Sequence, residues 1–196
     1  MKFPELLWSF ASLPVDYVCL DTETTGLPDE NGMPDIVSLG LTAVHHAVIS
    51  TSLEFKIRPT NRISQEARRV HGIGDEEATT FEDLPSQWRS ISDQIYNKLI
   101  VIHNASFDWP ILIDQLNRTG LRLPKVKGVF CSQKSAYPWA LANSLECTKR
   151  GPSLDVLTSV LTVENLRSLQ GGLHGAAIDS RQTALVVERL KEVFLE

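Results

Sequence analysis

The chain has 196 residues, 42% of them hydrophobic, and no apolar run approaches the ~20 residues that cross a bilayer, so the sequence fits one α/β domain with an ordinary core. A net charge of −5 argues against a protein that coats long nucleic-acid duplexes, because each phosphate contact usually draws on a Lys or Arg. It leaves room for a pocket that grips a few terminal nucleotides through bound metal ions.

The first fourteen residues carry Glu5, Pro4 and Pro14 and lack a small-residue cleavage site, so they read as mature sequence rather than a signal peptide. Phe3, Leu6, Leu7 and Phe10 fall at helical spacing, with Pro4 in the first turn, and predict an N-terminal helical extension over residues 1–14. Tyr17 to Leu20 is a short buried strand that runs into Asp21-Thr22-Glu23. Ile36 to Val44 and Ala47 to Arg58 predict two more strands, a hairpin turning at His45-His46. Ser64 caps a helix through Val70 that Gly72 ends. Phe81 to Leu99 is a long amphipathic pattern with Pro85 in its first turns, followed by a strand at Ile100-Val101-Ile102 and a helix from Ser106 to Arg118. Val129 to Gln133 supplies a fifth strand. Ser153 caps a helix with Leu154, Leu157 and Leu161 on one face, and the last helix starts near Ala176. This order predicts a single domain over residues 1–196, a mixed five-stranded sheet flanked by helices. Sites in such sheets lie at the carboxyl ends of the strands.

Three clusters gather at those ends. Asp21 and Glu23 point to the same side of the first strand, because strand side chains alternate. Paired carboxylates repel, which raises a pKa or demands a cation, and Mg²⁺ or Mn²⁺ favours such oxygen ligands. Gly26 lets the chain turn, so the amides of Thr24 and Thr25 are placed to approach a nucleotide. Alone, an Asp-x-Glu pair is also what an ordinary solvated strand end looks like. His103-Asn104-Ala105-Ser106-Phe107-Asp108 marks a strand-to-helix junction, where Asp108 also suits the helix dipole. In the third cluster glycines flank His174, and Asp179 heads a helix face shared with Thr183, Val186 and Leu190. A carboxylate on a core-facing stripe needs a metal or a strong donor.

Taken together, Asp21-x-Glu23, His103-Asn104-x-x-Phe107-Asp108 and His174-x-x-x-x-Asp179 resemble the DnaQ-like exonuclease superfamily in its DEDDh branch, and Val70-His71-Gly72-Ile73 resembles a segment of its bacterial proofreading-type members. The likeness extends from about Tyr17 to the last helix. It implies a ribonuclease H-like fold and 3′–5′ hydrolysis that releases nucleoside 5′-monophosphates. It also implies two divalent ions, Mg²⁺ or Mn²⁺, on Asp21, Glu23, Asp108 and Asp179, with His174 as general base. The tyrosine branch of the superfamily has Tyr where this chain has Gly175. Thr24, Thr25, Leu27, His71, Asn104 and Phe107 are implied to line the nucleotide pocket.

The expected substrates are 3′ ends of single-stranded or frayed nucleic acid, DNA ahead of RNA. An RNA-trimming enzyme of the same branch, and a proofreading subunit or adaptor beside a polymerase or repair partner, are the competing readings. A C-terminal tether to a polymerase is not expected after the last helix. No membrane partner is expected. The odd set of scattered cysteines (Cys19, Cys131, Cys147) has no metal-ligand spacing and suits reduced thiols in the cytoplasm.

Overall fold

The computed structural model describes residues 9–30 and 32–195. The expected N-terminal helix falls largely outside these residues. Its described end forms a 3₁₀ turn, Phe10–Ser12, and Phe10 packs in the core with its ring 5.3 Å from both Phe130 and Phe194.

The longest strands are β1 (Asp16–Thr24) and β2 (Ile36–His45), paired antiparallel over their length. The chain then reverses through His46 and Ala47, both at positive φ, into the two-residue strand β3 (Val48–Ile49). The polar stretch Ser50-Thr51-Ser52 separates β3 from β4 (Leu53–Lys56), and both pair with β2. One strand expected over Ala47–Arg58 is therefore two, and the sheet has six strands rather than five. Three helices follow: α1 (Gln65–His71), α2 (Asp75–Ala78) and α3 (Leu84–Ile95). Ser64 caps α1 by accepting from Ala67 N, and Gly72 ends it at φ 77, a left-handed conformation that glycine adopts without strain.

Next come β5 (Leu99–Ile102), α4 (Ala105–Arg118) and β6 (Gly128–Cys131). Both strands run parallel to β1, so the sheet order is β3-β2-β1-β5-β6. The expected strand through Gln133 stops at Cys131, because α5 (Ser132–Ala142) begins there and Cys131 Sγ accepts from Lys134 N. The helix α6 (Leu154–Val160), capped by Ser153, a 3₁₀ turn at Leu166–Gln170 and the long α7 (Ala176–Leu195) complete the fold. No helix among the described residues is long and apolar enough to cross a membrane.

Strand alternation divides the core. Val18 and Leu20 join the cluster formed with α3 and α4, whereas Tyr17 and Cys19 join the one formed with α6 and α7. Asp21 and Glu23 continue the second set, so both carboxylates leave β1 on the α7 side. Gly40 sits opposite Asp21 on β2, and a Cβ there would lie 2.0 Å from the carbonyl oxygen of Ala176. Only a glycine lets the first turn of α7 press this closely on the sheet. A hydrogen bond of 2.8 Å between the hydroxyls of Thr42 and Ser180 fixes the same approach.

Candidate active site

β1 ends in a register shift between Glu23 and Thr24, where pairing with β2 jumps from Ser38 to Ile36. Such bulges re-aim side chains at strand ends. Beyond it the chain frames a cleft of 410 Å³ lined from β1, α1, the α4 N-terminus and the segment leading into α7.

Asp21, Glu23, Asp108 and Asp179 all line this cleft. Asp108 arrives from the other side of the sheet, in the first turn of α4, and its Oδ1 accepts from Thr22 N at 3.0 Å and Thr22 Oγ1 at 2.7 Å. The even-numbered Thr22 thus clamps one acid while its odd-numbered neighbours supply two more. Asp179 is 3% exposed, and His174 Nδ1 lies 3.2 Å from its Oδ2. One ligand atom each from Glu23, His174 and Asp179 fit within 4.8 Å of one another.

The charges are not balanced. Burial pushes the Asp21 carboxyl well above its usual range, and the carboxylates of Asp108, Asp179 and Glu23 add to the effect. Burial, then Asp179 and Asp108, raise Glu23 to about 8. Burial raises Asp108 to about 7 against the hydrogen bonds from Thr22. Burial also acts upward on Asp179, but hydrogen bonds from His174 and Arg167 and their charges outweigh it and hold the carboxyl low. Among the described residues lining the cleft, Arg167 is the sole Lys or Arg. Crowded hard oxygen donors with so little compensating charge fit divalent cations of the Mg²⁺ or Mn²⁺ type.

Arg167 was not singled out from the sequence. Its Nε donates to Asp179 Oδ1 at 2.6 Å, its Nη2 to Oδ2 at 2.8 Å and its Nη1 to Asp155 Oδ1 at 2.8 Å. Both partners are twelve residues away, one on either side of the 3₁₀ turn that carries Arg167. No helical or strand period flags such a pair.

The backbone around His174 is anchored to α1, since His174 N donates to the Val70 carbonyl at 3.0 Å. Its side chain is 40% exposed and lines the cleft. His71 stands behind this contact. Its Nδ1 accepts from Ile73 N, so Nε2 carries the proton and donates to the Thr24 carbonyl at 3.2 Å. Burial lowers its pKa, which keeps the ring neutral. His71 touches the cleft, but both ring nitrogens serve the fold, tying β1 to the end of α1.

Thr24, Leu27, Asn104 and Phe107 also line the cleft. Leu27 is 77% exposed, a large apolar side chain held at the rim. Asn104 adopts a left-handed backbone (φ 70, ψ 50) ahead of α4, a conformation Asn tolerates better than most residues. Phe107 backs onto the core. Thr25 is not part of the lining. Its N–H donates to the Asp35 carbonyl and its hydroxyl accepts from Asp35 N, so neither group faces a ligand. His103 lines the cleft with Nδ1 3.0 Å from Ser132 Oγ, and burial drops its pKa to about 4.

The chain is similar to known exonucleases. A family model described as an exonuclease (RNase_T) matches residues 18–187. The DNA polymerase III subunit epsilon of Salmonella typhimurium is 30% identical over 176 residues, covering 86% of this chain and 68% of that one. Among solved structures, Exonuclease X in complex with 5′ overhanging duplex DNA superposes with a TM-score of 0.61 at 21% identity, covering 90% of this chain and 92% of the other. The nuclease domain of 3′hExo, a DEDDh family member bound to rAMP, gives 0.63 at 10% identity and covers 92% of each chain.

Proposed function

We propose, from the premise that this chain belongs to the DnaQ-like exonuclease family and is a 3′–5′ exonuclease, that it removes nucleotides from the 3′ ends of single-stranded or frayed DNA as nucleoside 5′-monophosphates. The observation that carries this reading is the convergence of Asp21, Glu23, Asp108 and Asp179 on one cleft beside His174.

When bound there, two divalent ions, Mg²⁺ or Mn²⁺, would supply water activation and neutralise charge at the phosphate. The four carboxylates would hold them, with Thr22 fixing the rotamer of Asp108. His174 serves as general base. With Nδ1 turned to Asp179, Nε2 is the ring nitrogen left to take a proton from water as its oxygen attacks the terminal phosphorus. The P–O3′ bond then breaks and the leaving oxygen takes a proton from solvent, leaving a shortened strand with a free 3′ hydroxyl. Thr24, Leu27, Asn104 and Phe107 are assigned to the terminal nucleotide, with Leu27 and Phe107 offering apolar surface to a base. His71 acts on the pocket through the backbone it holds.

The relationship to a DNA polymerase subunit favours DNA and suits work beside a polymerase or repair partner. An RNA-trimming role is the second reading, favoured by the fold's likeness to a domain that binds rAMP. The three free cysteines fit the reducing cytoplasm. The test is digestion of matched 5′-labelled single-stranded DNA, duplex DNA and RNA. The proposal expects a ladder shortening from the 3′ end on single-stranded DNA with Mg²⁺ or Mn²⁺ and none in EDTA. A faster ladder on RNA would transfer the assignment to the second reading, and cleavage that persists in EDTA would sink the metal-dependent mechanism.

A further inference from the structure

The guanidinium of Arg167 sits where cationic charge is needed in the cleft, and we infer that it is a built-in counter-cation that competes with the divalent ion for Asp179. This rests on the reading of the four acids as a cation site.

The geometry is that of a bidentate pair. Arg167 reaches both oxygens of Asp179, at 2.6 and 2.8 Å, and is 12% exposed. Charge-assisted bonds of this planar, two-point kind are among the stronger interactions a side chain makes. A guanidinium on both oxygens takes up part of their lone-pair capacity and repels a cation at this range, so loosening that grip strengthens metal binding. Without it, the repelling acids would hold a buried negative charge unanswered.

The surroundings give the guanidinium somewhere to go. Its Nη1 already contacts Asp155, which is 62% exposed at the outer side of the pair. The turn that carries Arg167 is fixed at its start by Leu166 N donating to Gln182 Oε1 at 2.8 Å. Past the turn, Gly171 and Gly172 take φ of 67 and 84, backbone that leads directly to His174. Arg167 therefore gives up one of two acids: it holds Asp179 and Asp155 together in the metal-free protein and Asp155 alone in the loaded one. Asp179 stays ordered and charge-compensated before metal arrives, and Asp155 lowers the cost of releasing it.

The two partners predict effects of opposite sign. Arg167→Gln removes the competitor, so Mn²⁺ measured by calorimetry on the purified full chain should bind about tenfold tighter, the scale of a charged hydrogen bond. The same variant should melt at a lower temperature in EDTA and gain more on Mn²⁺ addition. Asp155→Asn removes the alternative partner and should weaken Mn²⁺ binding several-fold. It changes an exposed side chain at the start of α6, so the fold is expected to persist. Unchanged or weaker binding in Arg167→Gln, or unchanged or tighter binding in Asp155→Asn, overturns the inference. A wild-type chain that binds no Mn²⁺ overturns the cation-site reading itself, and the inference with it.

Discussion

Two buried aspartates in this molecule each pair with an arginine, and they behave differently. Asp35 is 1% exposed and accepts from Thr60 N, Thr60 Oγ1, Asn61 N and Arg118 Nη1. Burial acts upward on its carboxyl, but these bonds outweigh it and hold the pKa low. Asp179 also has an arginine and a low pKa, yet it stands among Asp21, Glu23 and Asp108, two of them raised to about 8 and 7 and the third well up. A buried, satisfied carboxylate is a clamp that joins β2, a loop and α4. A buried carboxylate in a crowd of others that repel it is a site. Burial alone does not separate the two; the balance of donors does.

The comparison breaks most sharply under paired substitutions. Asp21→Asn should cut exonuclease activity by roughly a thousandfold or more, the scale of losing a group the reaction cannot do without. Because it relieves repulsion, it should leave the melting temperature in EDTA unchanged or raised. Asp35→Ala should do the reverse, costing about 1–3 kcal/mol of stability by leaving the Thr60 and Asn61 donors without their acceptor, while Arg118 keeps Asp114 and the activity per folded molecule stays near wild type. Denaturant melts and a single-turnover assay on both variants check this. If Asp21→Asn destabilises as much as Asp35→Ala, the two aspartates are not different in kind.

Gly40→Ala sharpens the same distinction through the backbone. The new methyl meets the first turn of α7, which carries Asp179 four residues into the helix region. A displacement near 1 Å is expected to lower activity about 100-fold, with a stability loss of about 1–3 kcal/mol from overpacking. A variant with full activity would mean that α7 can shift without moving its acid.

A smaller effect should appear in pH dependence. Glu23 and Asp108 have folded-state pKa values raised above their ordinary values of 4.5 and 3.8, so the folded state binds more protons than the unfolded chain between those values and about 8 and 7. Their contribution to stability is full below the ordinary values and is lost as pH rises through the folded ones. Asp179 and Asp35 have the opposite sign and lose their contribution as pH falls below the ordinary 3.8. In EDTA, the melting temperature should therefore decline from about pH 5 to 8, and saturating Mn²⁺ should flatten the slope. An equal slope with and without Mn²⁺ would detach the raised acids from the metal.

Much of this was readable in the sequence, for physical reasons particular to each residue. Strand alternation put Asp21 and Glu23 on one face, and helical spacing put Asp179 on a core-facing stripe. The start of α4 was marked by the end of an apolar strand, and α1 by Ser64 and Gly72. What escaped depends on tertiary proximity. Gly40 carries no local signal, because the close approach of α7 comes from the far end of the chain. Arg167 lies in a short turn without periodicity. The helix α5 was hidden because Pro138 lies inside it, where proline usually argues against a helix, and because it starts directly off β6. Thr25 looked available in the turn after Glu23, and only the fold reveals that Asp35 occupies both its amide and its hydroxyl.

The most direct test of the central claim is the stoichiometry of Mn²⁺ bound to the wild-type chain, read by calorimetry at neutral pH beside Asp21→Asn and Asp35→Ala. Two ions on wild type, two on Asp35→Ala and a weakened or missing ion on Asp21→Asn are predicted. Equal binding by wild type and Asp21→Asn would contradict the account, because the crowded carboxylates would then not be what holds the metal.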